Sequence, residues 1–293
     1  MASAADKGRV RKMVIPAAGM GTRFLPATKS QPKEMLPLVD RPIIHYAVEE
    51  ALASGIQQVI LVTAENKGAI EDYFKRSMEL ECFLEEKGEA DLLHAVCNIA
   101  AGADVCFVKQ SEPLGLGHAV LQARELVGDE PFALMLPDDL IFGPVLALKQ
   151  LLEVYYRRGG PVLAVERMAQ EDMGRYGVIK PQELDKRTHQ VLDIIEKPSP
   201  GEAPSDLAVV GRYILTPDIF DILERTPAGR NREIQLTDGL KANLREEAVF
   251  AHEFEGVRYD AGTPLGWLKA TAALALKHPE FGLPYREFLR GIL

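Results

Sequence analysis

Short runs of β-branched and aliphatic residues recur along the first half of the chain, and stretches with helical spacing separate them. Val14-Ile15 opens the series and runs into a turn at Pro16–Gly21. Val59-Ile60-Leu61-Val62, Val105-Cys106-Phe107-Val108, Phe132–Leu136 and Val162–Val165 continue it. Pro42–Ala53 carries Ile43, Ala47, Val48 and Leu52 at helical spacing, with Pro42 near the first turn and Gly55 just past the end. Asn66–Lys75, Ser77–Ala101 (broken near Gly88), Gly117–Val127 and Leu146–Tyr156 also read as helices. Strands that are apolar without alternation must be covered on both faces, and a strand–helix–strand rhythm delivers them in parallel. The expected fold is therefore α/β: a Rossmann-like mixed, mainly parallel sheet flanked by helices.

After Arg167 the rhythm changes. Tyr176–Lys180 and Gln190–Ile195 read as neighbouring strands around a polar turn at Asp185–Thr188. Leu207–Leu215 and Val249–Tyr259 read as strands, and Pro217–Leu223, Ile234–Leu244 and Leu265–Leu276 as helices. No repeat or low-complexity linker divides the chain. The expectation is one α/β domain over residues 11–293, in two halves, 11–167 and 168–293, behind a loose tail at 1–10.

Composition removes several function classes. The chain has 293 residues, 34 Lys+Arg and 43 Asp+Glu, and a formal net charge of −9. An acidic balance without a basic stripe argues against nucleic acid as a partner. It leaves room for anionic small molecules, which a few local cations can hold. No apolar run approaches the ~18 residues that span a bilayer, and no apolar stretch follows the charges of Met1–Arg11 to make a secretory signal. Neither a membrane nor export is expected. Cys82, Cys97 and Cys106 form no C-x-x-C pair, so buried free thiols in a reducing cytoplasm are expected. The six histidines have no metal-ligand spacing.

In an open α/β sheet, ligands bind beyond the carboxyl ends of the strands. There the first strand meets Ala17-Ala18-Gly19-Met20-Gly21-Thr22-Arg23. Gly19 and Gly21 can let backbone amides approach a ligand. Phe24 replaces the third glycine of a dinucleotide fingerprint, and no P-loop pattern occurs. Arg23 and Lys33 follow in a Pro- and Gly-rich segment, and two cations beside exposed amides suit a polyanion such as a triphosphate. Asp138 and Asp139 end a buried strand, where a carboxylate can hold Mg²⁺ against phosphates. Strand alternation lets only one of them point into the site. Gln110 offers both an acceptor and a donor, which suits an imide edge.

The segment Ala17–Lys29, continued by Pro32-Lys33-Glu34-Met35-Leu36-Pro37, closely resembles the bacterial UTP–glucose-1-phosphate uridylyltransferases of the sugar nucleotidyltransferase superfamily. The resemblance extends through Gln110, Gly115–Ala119, Leu136–Asp139, Tyr176-Gly177, Glu196–Pro198, Gly211–Tyr213, Glu233–Asp238 and Tyr259–Gly262. It implies the nucleotide-diphospho-sugar transferase fold, with 11–167 as the nucleotide-binding half and 168–293 as the sugar-binding half. It further implies that Ala18, Gly19, Gly21, Glu34, Gln110 and Gly115 bind the nucleotide. Gly177, Glu196 and Lys197 would bind the sugar phosphate. Arg23, Lys33 and Lys197 would be catalytic, Asp138 would bind Mg²⁺, and Asp260 would be a second metal ligand. Asp139 would orient the turn, and His118 would stand behind the pocket.

The implied reaction joins UTP and glucose 1-phosphate into UDP-glucose and pyrophosphate. Thymidylyl transfer to the same sugar, a glycosyltransferase consuming a nucleotide sugar, and a non-catalytic nucleotide-sugar sensor are the alternatives. Asp138-Asp139-Leu140 lacks the Asp-x-Asp pattern of the glycosyltransferase, and a sensor has no need of Arg23, Lys33, Asp138 and Lys197 together. A homo-dimer or homo-tetramer is also implied, with the helical end at Leu265–Leu293 as a contact surface.

Overall fold

In the computed structural model, which describes residues 8–229 and 232–292, the elements follow the sequence rhythm closely. The first part holds β1 (Lys12–Pro16), β2 (Pro37–Leu38), β3 (Arg41–Pro42), α1 (Ile43–Ala53), β4 (Gln58–Thr63), α2 (Gly68–Phe74), α3 (Met78–Lys87), α4 (Ala90–Cys97) and β5 (Asp104–Lys109). Then come α5 (Leu116–Gln122), α6 (Arg124–Val127), β6 (Phe132–Met135), β7 (Asp139–Phe142), α7 (Ala147–Arg158) and β8 (Val162–Arg167). The remainder comprises β9 (Gly177–Glu183), β10 (Thr188–Glu196), β11 (Leu207–Leu215), α8 (Asp218–Arg225), α9 (Leu236–Asn243), β12 (Phe250–Glu253), β13 (Val257–Asp260), α10 (Pro264–Ala275) and α11 (Gly282–Ile292).

Strand alternation sorts the apolar runs onto two cores. Met13, Ile15, Val59 and Leu61 face one side, against Ile44, Ala47, Val48 and Ala51 of α1 and Leu148 and Leu151 of α7. Val14, Ile60 and Val62 face the other, against Val120 of α5, Ile219, Phe220 and Leu223 of α8 and Leu240 of α9. Phe132 stacks on Phe220 there, with ring centroids 5.2 Å apart. Both faces are thus covered, which is why these strands carry no polar alternation.

The nine-stranded sheet has the order β5-β4-β1-β6-β11-β8-β12-β10-β9. β5, β4, β1 and β6 run parallel, as does the β8–β12 pair. β11 is antiparallel to both β6 and β8, and β10 to both β12 and β9. The sheet is therefore mixed as expected, but its parallel share is smaller than the strand–helix rhythm implied. The antiparallel pairs come from the second half, where hairpins and long returns replace helical crossovers.

Four local expectations are corrected. The single strand over Val249–Tyr259 is two. β12 joins the main sheet, and β13 leaves it to pair with β7, setting Asp260 opposite Asp139. The break lies at Gly256, whose φ of 153° and approach to Ile141 and Phe142 exclude a side chain. The helix over Gly117–Val127 divides into α5 and α6 at Ala123. The three thiols are free but not buried: Cys82 and Cys97 are exposed and Cys106 is half-buried, because α3 and α4 cover little of the core. Residues 1–7 of the expected tail lie outside the described residues, while Val10 is packed in the core and donates its N–H to the Tyr156 hydroxyl.

β1, β4, β5 and β6 all end on one side of the sheet. The segments that follow them carry Ala18 to Glu34, Lys67, Gln110 and Asp138, and β13 returns Asp260 to the same place. A cleft of about 600 Å³ opens there.

Candidate active site

The nucleotide side of the cleft is built on the loop after β1. Ala17 ties this loop to the sheet by donating its N–H to the Val62 carbonyl, and Ala18 and Gly19 then form part of the cleft wall. Arg23 stands on a short helical turn, Thr22–Phe24, with Nη1 3.5 Å from the Gly262 carbonyl. Lys33 and Glu34 share the turn Lys33–Met35 and point to different partners. Lys33 Nζ reaches Asp138 Oδ2 at 2.5 Å, whereas Glu34 Oε2 accepts from Lys67 Nζ at 2.7 Å.

Gln110 leaves β5 and donates through its amide nitrogen to the Gly115 carbonyl (3.2 Å) and to His118 Nδ1 (2.9 Å). The residue itself lines the cleft. His118 is braced in turn by Gln122 at 3.2 Å, so it stands behind the wall and orients Gln110.

The opposite side is made by the β9–β10 hairpin, in which Gly177 and Glu196 are register partners. Lys197 donates its backbone N–H to the Tyr176 carbonyl and adopts a left-handed φ of 47°. Adjacent strand residues normally point to opposite faces. The left-handed turn at Lys197 overrides that alternation and brings its Nζ to 3.1 Å from Glu196 Oε1.

Between the two sides lie the aspartates. Asp139 is fully engaged: Oδ2 accepts the Gly211 N–H (2.9 Å) and Oδ1 accepts Arg258 Nε (2.7 Å). Arg258 also contacts Glu166 and lies over the Tyr176 ring. Asp138 meets Lys33 and lines the cleft. Burial pushes its carboxyl up, but the charge and hydrogen bond of Lys33, with Arg23 nearby, hold it below the ordinary value. Burial lowers Lys33, and Asp138 and Glu34 more than offset this, so the lysine stays charged. Asp260 meets Arg175 at 3.2 Å.

These carboxylates fit a hard cation. A Cβ added at Gly262 would lie 2.5 Å from Asp138 Oδ2 and 3.1 Å from Asp260 Oδ1, so the two oxygens converge on a space that only glycine leaves open. No group of three or more His, Cys, Asp or Glu ligands occurs among the described residues. Two carboxylate ligands suit an ion that completes its shell with water and substrate phosphates, the habit of Mg²⁺.

Twelve residues expected from the sequence line this one cleft: Ala18, Gly19, Arg23, Lys33, Glu34, Gln110, Gly115, Asp138, Gly177, Glu196, Lys197 and Asp260. Gly21 is not in the wall; its carbonyl accepts the Thr28 hydroxyl and shapes the loop behind Arg23. Four further residues, to which the sequence reading gave no role, belong to the site. Arg258 shares the alternation of Asp260, two residues on, which was a usable signal. Lys67 caps the start of α2, a position where a cation opposes the helix dipole and needs a partner. Tyr213 is buried in the wall, its phenol kept neutral by burial and by Asp139 and Glu196. Arg175 had no local signal.

The chain is similar to known proteins over nearly its whole length. A UTP–glucose-1-phosphate uridylyltransferase of Staphylococcus epidermidis is 47% identical over 97% of this chain and 99% of its own. A solved UDP-glucose pyrophosphorylase complexed with UDP-glucose superposes with a TM-score of 0.84 at 43% identity, covering 92% of this chain and 100% of that one. The UTP-bound UGPase from Acinetobacter baumannii superposes with a TM-score of 0.90 at 41% identity, covering 96% and 99%. Residues 12–276 match the nucleotidyl transferase family, and the chain belongs to that family.

Proposed function

We propose that the protein transfers a uridylyl group from UTP to glucose 1-phosphate, giving UDP-glucose and pyrophosphate. The observation that carries this reading is the placement of Arg23, Lys33 and Asp138 facing Glu196 and Lys197 across one cleft. A phosphate oxygen of the sugar phosphate attacks the α-phosphorus of UTP in line. A new P–O bond forms as the bond to the β-phosphate oxygen breaks. The attacking group is already an anion, so no protein nucleophile is needed.

The protein has two tasks: to overcome repulsion between polyanions and to hold them aligned. Arg23 and Lys33 neutralise the triphosphate and the departing pyrophosphate. Lys197 places the sugar phosphate, Glu196 accepts from glucose hydroxyls, and the backbone at Gly177 lies beside the sugar. Ala18, Gly19, Gly115, Gln110 and Glu34 surround the nucleoside. Asp138 and Asp260 would hold Mg²⁺, which when bound would supply positive charge to offset that of the phosphates. Arg258 keeps Asp139 neutralised, so that carboxylate does not repel the substrates.

Residues 11–167 form the nucleotide-binding half and 168–293 the sugar-binding half of a single domain. No helix among the described residues is long and apolar enough to cross a membrane. A cytoplasmic enzyme acting on cytoplasmic metabolites fits this. Leu265, Leu268, Leu283 and Phe288 expose apolar surface on α10 and α11, which supports a homo-dimer or homo-tetramer through that end.

The test is a panel of UTP and dTTP with several sugar 1-phosphates and Mg²⁺, scored by pyrophosphate. Release is expected to be fastest with UTP and glucose 1-phosphate. Faster turnover of dTTP, or UDP in place of pyrophosphate, would refute the assignment.

A further inference from the structure

Glu34 is 1% exposed in the cleft wall, and only half of its carboxylate is engaged. Oε2 is held by Lys67 Nζ at 2.7 Å, whereas Oε1 is buried without a hydrogen-bond partner. A buried carboxylate oxygen without a donor is costly, and a donor from a bound molecule removes the cost. Lys67 is itself 5% exposed. It caps the first turn of α2, where the helix dipole opposes a cation, so the position gains from a carboxylate partner. Burial raises the Glu34 carboxyl and lowers the Lys67 ammonium, while each opposes the shift in the other. Lys33, the chain neighbour of Glu34, is a second cation acting on the same carboxylate, but its ammonium is committed to Asp138.

We infer that Lys67 is a positioning residue for the nucleotide. By taking Oε2 inside the wall, it fixes Glu34 and leaves Oε1 as the carboxylate oxygen without a donor, the one that a hydroxyl or N–H of the nucleoside would satisfy. Lys67 touches no substrate in this role. The inference rests on the reading that Glu34 faces the nucleoside.

The full chain is made as Lys67→Met, Lys67→Arg, Glu34→Gln and the double variant Glu34→Gln with Lys67→Met. KM for each substrate and kcat are read by pyrophosphate release, with a thermal melt as a check on folding. Lys67→Met is expected to raise KM for UTP about tenfold, the weight of one charge-assisted hydrogen bond. KM for glucose 1-phosphate and kcat stay within about twofold, since the hydrogen bond that Lys67 makes is to Glu34, on the nucleotide side. Lys67→Arg recovers part of the loss.

Glu34→Gln alone raises KM for UTP, and Lys67→Met adds nothing in that background. A further large loss in the Glu34→Gln background would overturn the positioning role while leaving the nucleoside reading of Glu34 intact. Wild-type UTP kinetics in Glu34→Gln would instead overturn that reading, and the role of Lys67 with it. Should Lys67→Met fail to fold, the comparison of Glu34→Gln with the double variant, which carries no unpaired buried charge, decides alone.

Discussion

Arg258→Met isolates the support beneath the aspartates of the cleft. Arg258 and Asp139 side chains are 7% and 9% exposed, and Nη2 lies 2.5 Å from Asp139 Oδ1. Removing one partner of so buried a pair leaves an uncompensated charge and typically costs about 3–5 kcal/mol. In a domain of this size each kcal/mol moves the melting temperature by roughly 2 °C, so a fall of roughly 6–10 °C is expected. The loss has a pH signature. Burial already raises the Asp139 carboxyl, and Arg258 is the charge that opposes this. Without Arg258 the folded-state pKa climbs further above the unfolded value of about 3.9. The penalty is then complete above the raised folded value and fades as pH falls through it, because the native state takes up the proton. Urea denaturation at pH 5.5 and pH 8 measures the difference: Arg258→Met should sit closer to wild type at the lower pH. Adding Asp139→Asn should restore most of the stability at pH 8. Equal destabilisation at both pH values, with no rescue by Asp139→Asn, would refute the account.

Lys197→Ala should raise KM for glucose 1-phosphate, whereas Arg23→Ala should act chiefly on UTP. Each should lose about 2–4 kcal/mol of transition-state stabilisation in kcat/KM, measured by pyrophosphate release. Gly262→Ala places a methyl 2.5 Å from Asp138 Oδ2 and should weaken Mn²⁺ binding roughly 10–100-fold in a direct titration while the melt stays near wild type. A fragment ending at Arg167 should show no cooperative unfolding transition by circular dichroism, because β11 is missing from between β6 and β8; a sharp transition would contradict this.

What could be read from the residues was whatever depends on local pattern. The nine residues of β11 are all buried, and the strand was legible from the apolar residues on either side of Gly211-Arg212. Arg23 and Lys33 were legible as two cations following exposed amides in a Pro- and Gly-rich segment, whereas the choice of Asp138 over Asp139 and the role of Lys197 came from the family resemblance. Pairing across long separations was not. Nothing in Val249–Tyr259 says that half of it pairs with β8 and half with β7; the tertiary partner and Gly256 decide that. Arg175 and Lys67 have partners 85 and 33 residues away, so each reads in isolation as an ordinary surface cation. The thiols were misjudged because cysteine is usually buried, while α3 and α4 present most of their surface to solvent.

The ionic contacts of the cleft join segments that are remote in the chain. Asp139 is held by Gly211 and Arg258, Asp260 by Arg175, and the Gly262 carbonyl by Arg23. Behind them, buried Arg212 of β11 donates to Glu50 of α1 and to the Leu136 carbonyl, and Glu50 accepts the N–H of Leu148 in α7. This network fixes the end of β6, one residue before the Pro137-Asp138 turn, so the position of Asp138 depends on β11 as much as on its own strand. Charge placement and folding are coupled for that reason. Two buried carboxylates of the first half, Glu50 and Asp139, are partnered by Arg212 and Arg258 of the second half, and those pairs meet only after the second half has packed onto the first. An acidic chain can in this way gather cations for two polyanions: the positive groups are placed by carboxylates of the fold itself, and their number on the surface is immaterial.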